Sequence, residues 1–492
     1  MGLAKSNNVI VDSAAENSHS SQNESNRESH LTAEAQRMTP RDWPRSRRWI
    51  ATLILSSFAF LQPLSETMLA PVEGQISHDL NINKSHDWLL VNSLILIGVG
   101  LAPLVLAPLS EVYGRKPILV YGTIYFIVWN TACGGSQTLV QILVLRLLSG
   151  FGASGADSIA GGFMNDLWKA EERGKAFAVF MAAPLLGPGL GPICGAFIAE
   201  GISWRWVFFI TSIACAVVTV VAMAFLRETY EPRIRQLDQR RKAKADESSS
   251  VSAPATLPNQ QNASHYFVSL TCENLQRPVR MLATQLIVQI LAAYMALLYG
   301  TMFLFLFMYP RMWQDQYGQS VRTGSLNYIS FAIGLIVGVN MSGFLNDRIY
   351  IVLKARNNDV GEPEFRVPTM VIGTALVPIG LLWWGWTGEA RLHWILPNIG
   401  CLLFAMGVYI CSSCVSVYTI DTYGQYAASA ISTNLVARSI TAAFFPLFAP
   451  YLFDALHFGL GATVLAGVFA LLGTMAVTIL WAYGKTLRAR AK

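Results

Sequence analysis

Twelve stretches of about twenty mostly apolar residues recur along the chain, each long enough to cross a bilayer core as a helix. They fall into two groups of six, at 49–70, 88–110, 117–135, 139–163, 176–199 and 205–226, then at 284–308, 325–344, 368–387, 394–417, 428–448 and 459–481, and are numbered here spans 1 to 12. The polar connections between them are short, except for a leader before residue 49 and a segment at 227–283. The pattern predicts an all-α integral membrane protein of twelve transmembrane helices in two six-helix pseudo-repeats.

The polar segments set the organisation. Residues 1–48 form a Ser-, Asn-, Glu- and His-rich leader ending in RDWPRSRRW at 41–49, and predict a disordered cytoplasmic tail with a basic, Trp-bearing anchor beside span 1. The leader lacks the basic, apolar and small-residue pattern of a cleaved secretory signal, so span 1 is expected to stay in the mature protein. Six-helix halves are expected at 49–226 and 284–481, joined by a cytoplasmic linker at 227–283 whose basic first part could lie on the membrane surface. A short basic tail at 482–492 closes the chain.

Composition agrees with this picture. Of 492 residues 53% are apolar and only 13% charged. Net charge is +6, and its distribution decides its meaning: with a cytoplasmic N-terminus, 29 of the 36 Lys and Arg fall on the cytoplasmic side and 4 outside, with Arg146, Arg205 and Arg438 in or beside spans. That asymmetry is the positive-inside signature and calls for no nucleic-acid partner. The seven cysteines lie mostly within spans and do not form an extracellular disulfide framework, and Cys411 and Cys414 lack the further ligands a zinc site needs. No metal or cofactor is expected.

The chemistry concentrates at a few positions. Between spans 2 and 3 the chain reads LAPLSEVYGRKP, with Glu111, Gly114, Arg115 and Lys116 in a tight connection where a glycine suits the turn and cations hold the loop inside. Span 4, LRLLSGFGASGAD, carries Arg146 and Asp157, which helical spacing puts on roughly one face, so both are expected to look into one cavity. Charge within a span is costly and marks function. Glu66 of span 1 should lie at the depth of Arg146 and meet it across the cavity. Span 5, APLLGPGLGPICGAF, places Gly187, Gly191 and Gly195 four apart with Pro188 and Pro192, predicting close helix packing and a bend. In span 7, Tyr294, Tyr299 and Met302 are candidates to line an apolar cavity. The halves echo each other: Asp347 and Arg348 follow span 8 as Glu111 and Arg115 follow span 2, Asp421 ends span 10 as Asp166 ends span 4, and Arg438 lies in span 11.

These motifs resemble those of the major facilitator superfamily, in its twelve-span drug:proton antiporter family of fungal multidrug, toxin and secondary-metabolite exporters. LAPLSEVYGRKP resembles the loop motif G-x-L-a-D-r-x-G-r-[RK], with Ala107, Glu111 and Val112 as departures, and the span 5 glycines resemble the antiporter motif, with Ala196 in its last Gly place. SWRWVFF at 203–209, LRETYEP at 226–232 and EPEFRVP at 362–368 extend the likeness. The resemblance implies that Glu111 pairs with basic residues and a neighbouring helix end in an outward-facing latch. It further implies export of small apolar or amphipathic compounds against protons, with a polyamine or other organic cation as the alternative cargo. Lipid, substrate and protons would be the partners, the chain a monomer, and the plasma membrane its place, with the vacuolar membrane as the other possibility. No phosphate-binding G-x-x-x-x-G-K-[ST] loop accompanies the spans, and no acid or His constellation suggests an enzyme.

Overall fold

A computed structural model describes residues 40–82, 85–237, 276, 280–423 and 427–490. Residues 1–39 of the expected disordered tail, most of the linker and the last two residues lie outside the described residues, while the end of that expected tail is ordered as the 3-10 turn Pro40–Asp42 and the start of the helix Arg45–Thr67.

Long apolar helices occupy the predicted positions. Span 1 is Arg45–Thr67, followed by a 3-10 turn at Ala70–Val72 and a short helix at Glu73–Asp79. Spans 2 and 3 are Ser85–Tyr113 and Arg115–Gly134, divided only by Gly114, whose φ of 101° stops one helix and starts the next. Span 4 is broken at Ser154 into Leu139–Ala153 and Gly155–Leu167. Spans 5 and 6 are Ala170–Gly201 and Arg205–Phe225, span 5 holding Pro184, Pro188 and Pro192 inside its helix. Spans 7 to 10 are Leu286–Asp315, Tyr328–Arg356, Val367–Glu389 and Ile395–Tyr423.

The last apolar stretch is continuous by composition over Ala430–Ala489, 60 residues. At about 1.5 Å per residue that is roughly 90 Å, far more than one crossing. The backbone resolves it: span 11 is Ala427–Phe444 with its 3-10 continuation Phe445–Phe448, and His457, with φ 55° and ψ −177°, turns the chain inside Ala449–Arg490 to begin span 12. The chain thus makes the twelve crossings expected.

Within each half, helices touch through glycine. Gly98 of span 2 and Gly150 of span 4 pack backbone to backbone, and Gly380 of span 9 meets Phe404 and Gly400 of span 10 in the same way. The halves meet where span 2 lies against span 11, with Gly100 on Ser439, and where span 5 lies against span 8, with Gly189 on Ala332. Toward the end of span 5 the second contact is extended by the Arg322–Glu200 ion pair, 3.4 Å, with the Arg322 guanidinium 4.9 Å over the Phe197 ring.

Candidate functional site

A polar network crosses the middle of the molecule from one half to the other. On the first half, Gln62 Nε2 donates to Glu66 Oε1 at 3.2 Å, one helical turn apart on span 1. The Asp157 carboxyl of span 4 lies beside Gln62 and within electrostatic reach of Glu66. On the second half, Arg438 Nη1 of span 11 donates to Tyr299 Oη of span 7 at 3.0 Å, and its guanidinium stacks 4.5 Å over that ring. Tyr299 Oη in turn lies 3.3 Å from Ser412 Oγ of span 10. Having accepted from Arg438, the phenol keeps its own proton for Ser412. Arg438 is a second-half charge whose field reaches both carboxylates, yet its close contact is the phenol.

Arg146 lies within electrostatic reach of Glu66 but forms no ion pair with it among the described residues. It is fully buried inside the first half, where Nε donates to Val91 O at 3.2 Å and Nη1 to Ser65 O at 3.4 Å, with its guanidinium 5.8 Å from the Phe208 ring. The expected meeting with Glu66 is therefore corrected. The depth was right, because Ser65 is the neighbour of Glu66, but adjacent helical residues project about 100° apart. Arg146 takes the carbonyl, while the Glu66 carboxyl turns toward Gln62. Between Arg146 and Asp157 the helix is interrupted at Ser154, so the angular count along span 4 does not carry straight across.

The span 5 glycines hold the acid-bearing helix in place. A Cβ on Gly187 would sit 2.7 Å from Pro63 Cγ and 2.8 Å from Leu64 N, one on Gly191 would strike Thr67 and lie 2.8 Å from Leu64 O, and one on Gly195 would strike the Met68 backbone. Span 5, bent around Pro188 and Pro192, thus lies directly on the segment that carries Gln62 and Glu66. Gly189, on the opposite side, faces the other half.

The loop between spans 2 and 3 is stapled to its own half. Arg115 and Lys116 each give a backbone N–H to the Glu228 carboxylate, at 2.8 and 3.2 Å, so an acid caps the start of span 3. Arg115 Nη1 donates to Ser110 Oγ at 2.5 Å and its Nε lies 3.5 Å from Asp166 Oδ2; Lys116 Nζ donates to Met223 O at 3.0 Å. Gly114 leaves no room for a side chain against Glu228. Glu111 is exposed and makes no ion pair among the described residues. The latch expected of Glu111 is thus not made here, and the carboxylates that hold this loop are Glu228 and Asp166. In sequence, Glu228 was visible only as part of LRETYEP, an acid just beyond span 6.

The second half repeats the arrangement around Arg366. Its Nε lies 3.1 Å from Asp421 Oδ2, its Nη1 3.7 Å from Asp347 Oδ1 and 3.3 Å from Asn346 O, and the guanidinium covers the Tyr350 ring at 4.1 Å. Asp347 and Asp421 are brought together as their echo implied, but by Arg366 of EPEFRVP and not by Arg348, which stacks on Phe344 at 4.4 Å. Glu364 beside it takes two bonds from Arg488, at 2.6 and 2.9 Å.

Of the span 7 candidates only Tyr299 belongs to the central network. Tyr294 is buried in the second half, its Oη 2.7 Å from Thr374 Oγ1 of span 9 and its ring 6.1 Å from that of Phe469. Five residues separate it from Tyr299, a rotation of about 140° that sends the rings to different faces. Met302 is buried at 6% exposure.

The family model described as Major Facilitator Superfamily matches residues 55–446. Efflux pump vrtL of Penicillium aethiopicum is 38% identical over 92% of this chain and 88% of its own length, and MFS-type transporter oryF of Aspergillus oryzae 36% identical over 92% of each. Among solved structures, the proton:xylose symporter XylE superposes with a TM-score of 0.64 at 14% identity, covering 90% of this chain and 96% of XylE, a likeness of fold.

Proposed function

The chain belongs to the major facilitator superfamily, a multi-pass membrane transporter of small molecules by family and fold, and from that premise we propose that it exports apolar or amphipathic compounds in exchange for protons. Relatives named as efflux pumps support the outward direction. The observation that carries proton exchange is the central network: two carboxylates, Glu66 and Asp157, on one half face the Arg438 guanidinium of the other. Ionisable groups at this depth are tolerated only when their charge is balanced or exchanged. A carboxylate whose surroundings change as the halves rock binds its proton more or less tightly in each state, and that difference is what couples a proton gradient to a cargo.

The contacts between halves, from Gly100 and Ser439 to Arg322 and Glu200, support reading this state as one closed on its outer side. In the opposite state the outer contacts part, and Glu111 takes up its latch. The protein acts as a monomer in the plasma membrane, one chain supplying both walls of the pathway.

Efflux from yeast depleted of its own pumps tests the reading. Expression should lower the accumulation of some apolar dyes or antifungals, an uncoupler should abolish the effect, and Glu66→Gln should lose it at normal surface abundance. Efflux that ignores both the uncoupler and Glu66→Gln would exclude proton exchange.

A further inference from the structure

Where spans 1 and 7 finish, a cavity of about 500 Å³ lies between the halves, within the roughly 300–1,000 Å³ of small-molecule sites. The first half supplies the turn Ala70–Val72 and the helix Glu73–Asp79, and the second supplies the last turns of span 7. None of Gln62, Glu66, Asp157, Tyr299 or Arg438 lines it, so it is separate from the central network. Val72, Phe307 and Pro310 give it a buried apolar lining. Asp315, also in the lining, keeps 52% of its side chain exposed, so the cavity opens to solvent.

The polar lining is under-used by the protein. The side chains of Glu73, Gln75, Ser77 and Gln314 make no hydrogen bond or ion pair among the described residues, and are left to solvent or to a ligand. Arg311 is not free to balance Glu73. Its Nη2 lies 2.8 Å from Asp454 Oδ1, just ahead of the His457 turn, and its Nε lies 3.3 Å from Asp315 Oδ2. Two carboxylates thus share one guanidinium, and Glu73 stands as a third within electrostatic reach of all these groups. Arg322, beside the lining residue Val321, is taken by Glu200. With its carboxylates ionised, the cavity and its rim hold an excess of negative charge next to apolar surface, a combination that suits a cation carried on an apolar body.

We propose that this cavity is a second ligand site, distinct from the central one, which takes a small organic cation with an apolar body from the outside and holds the halves closed on that side. The inference rests on the orientation and the export proposed above. The lining comes from both halves, so a ligand seated there loses half of its contacts when they part. By linkage it favours the state in which they are together. The cationic group meets Glu73 and Asp315 while the apolar body packs on Val72 and Phe307. Such a molecule slows export without being exported.

The test uses purified full-length protein and three probes of similar length: 4-phenylbutyltrimethylammonium, 5-phenylpentanol and 5-phenylpentanoate. Titration calorimetry at pH 7.5 should show the cation binding about fivefold more tightly than the alcohol, the worth of a partly exposed charge contact, with the carboxylate weakest. Glu73→Gln should remove the cation's advantage. Gly74→Lys, at an exposed lining position where an added Cβ meets nothing within 4 Å, should do the same by supplying the missing charge. Glu66→Gln should leave the advantage intact, which separates this cavity from the central site. In pump-depleted yeast the cation, kept outside by its fixed charge, should lower the maximum rate of dye efflux by the wild type and spare Glu73→Gln and Gly74→Lys. A cation that binds no better than the alcohol, an advantage that survives both cavity variants or vanishes in Glu66→Gln, or binding that leaves efflux unchanged would each overturn the proposal. Efflux measured without any probe reads the export proposal by itself, so its failure is seen apart from failure of the cavity to bind the cation.

Discussion

Arg366 Nε lies 3.1 Å from Asp421 Oδ2, joining the start of span 9 to the end of span 10, and the first half repeats the relationship between Arg115 and Asp166 at 3.5 Å. In each half an arginine that opens the third helix is tied to an aspartate that closes the fourth, so the same end of each half is braced alike. Arg366 is the better placed of the two in distance, and 14% of its side chain is exposed.

Removing that brace should be measurable. Arg366→Ala leaves Asp421 and the Asn346 carbonyl without their donor, and hydrogen bonds to charged groups at partly buried sites contribute about 1.5–3 kcal/mol. The melting temperature of the detergent-purified protein should fall by several degrees. Arg366→Lys should restore only part, because a lysine cannot reach both partners with a planar fork.

The span 1 and span 5 interface should reject the smallest addition. Gly195→Ala puts a methyl into the Met68 backbone and should reduce the yield of monodisperse protein and abolish efflux. Gly161→Ala, where nothing lies within 4 Å, should be neutral or stabilise the helix by about 0.5–1 kcal/mol. Fluorescence-detected size exclusion of both variants decides the point, and equal behaviour would remove the packing argument.

Tyr294 and Tyr299, five residues apart, should part company. Tyr294→Phe breaks the buried bond to Thr374 and should cost about 1 kcal/mol of stability with the cargo profile unchanged. Tyr299→Phe frees Arg438 and should alter which compounds are exported at little cost in stability. Competition profiles with a common panel of cargoes, beside thermal melts, check both outcomes.

A pH dependence should appear at the clamp on the first turn of the Ala170–Gly201 helix, ahead of its apolar stretch from Val179. The Glu172 carboxyl accepts from Arg48 at 2.7 Å and from Arg45 at 3.0 Å, and these hydrogen bonds hold it below the ordinary carboxylate range. Arg48 also stacks on Trp168 at 4.6 Å. Because the folded value is depressed, the unfolded chain binds the proton more readily, and the clamp's contribution is present above the unfolded value of about 4.3. It is lost as pH falls through the lower folded value. The stability difference between wild type and Glu172→Gln should therefore shrink on acidification from near neutral to about pH 3. A difference that stays constant would mean that the carboxylate is not its source.

The sequence by itself determined the all-helical class and the membrane crossings. Length and apolarity dictate a membrane helix locally, and Gly114 or the span 5 glycines carry their reason in their own chemistry. Asp166 and Asp421 were legible as echoes because duplication leaves the same residue at the same place. What only the tertiary structure decided is which way each side chain turns and what meets it. Glu66 and Arg146 share a depth, yet a 100° step along span 1 sends one to Gln62 and the other to a carbonyl. The break at Ser154 interrupts the helical count between Arg146 and Asp157. Glu228, Arg366 and Arg438 find their partners some 20 to 140 residues away in sequence. Helical spacing fixes neighbours within a turn, but partners on other helices depend on rotation, bend and tilt, and those follow from how all twelve spans pack together.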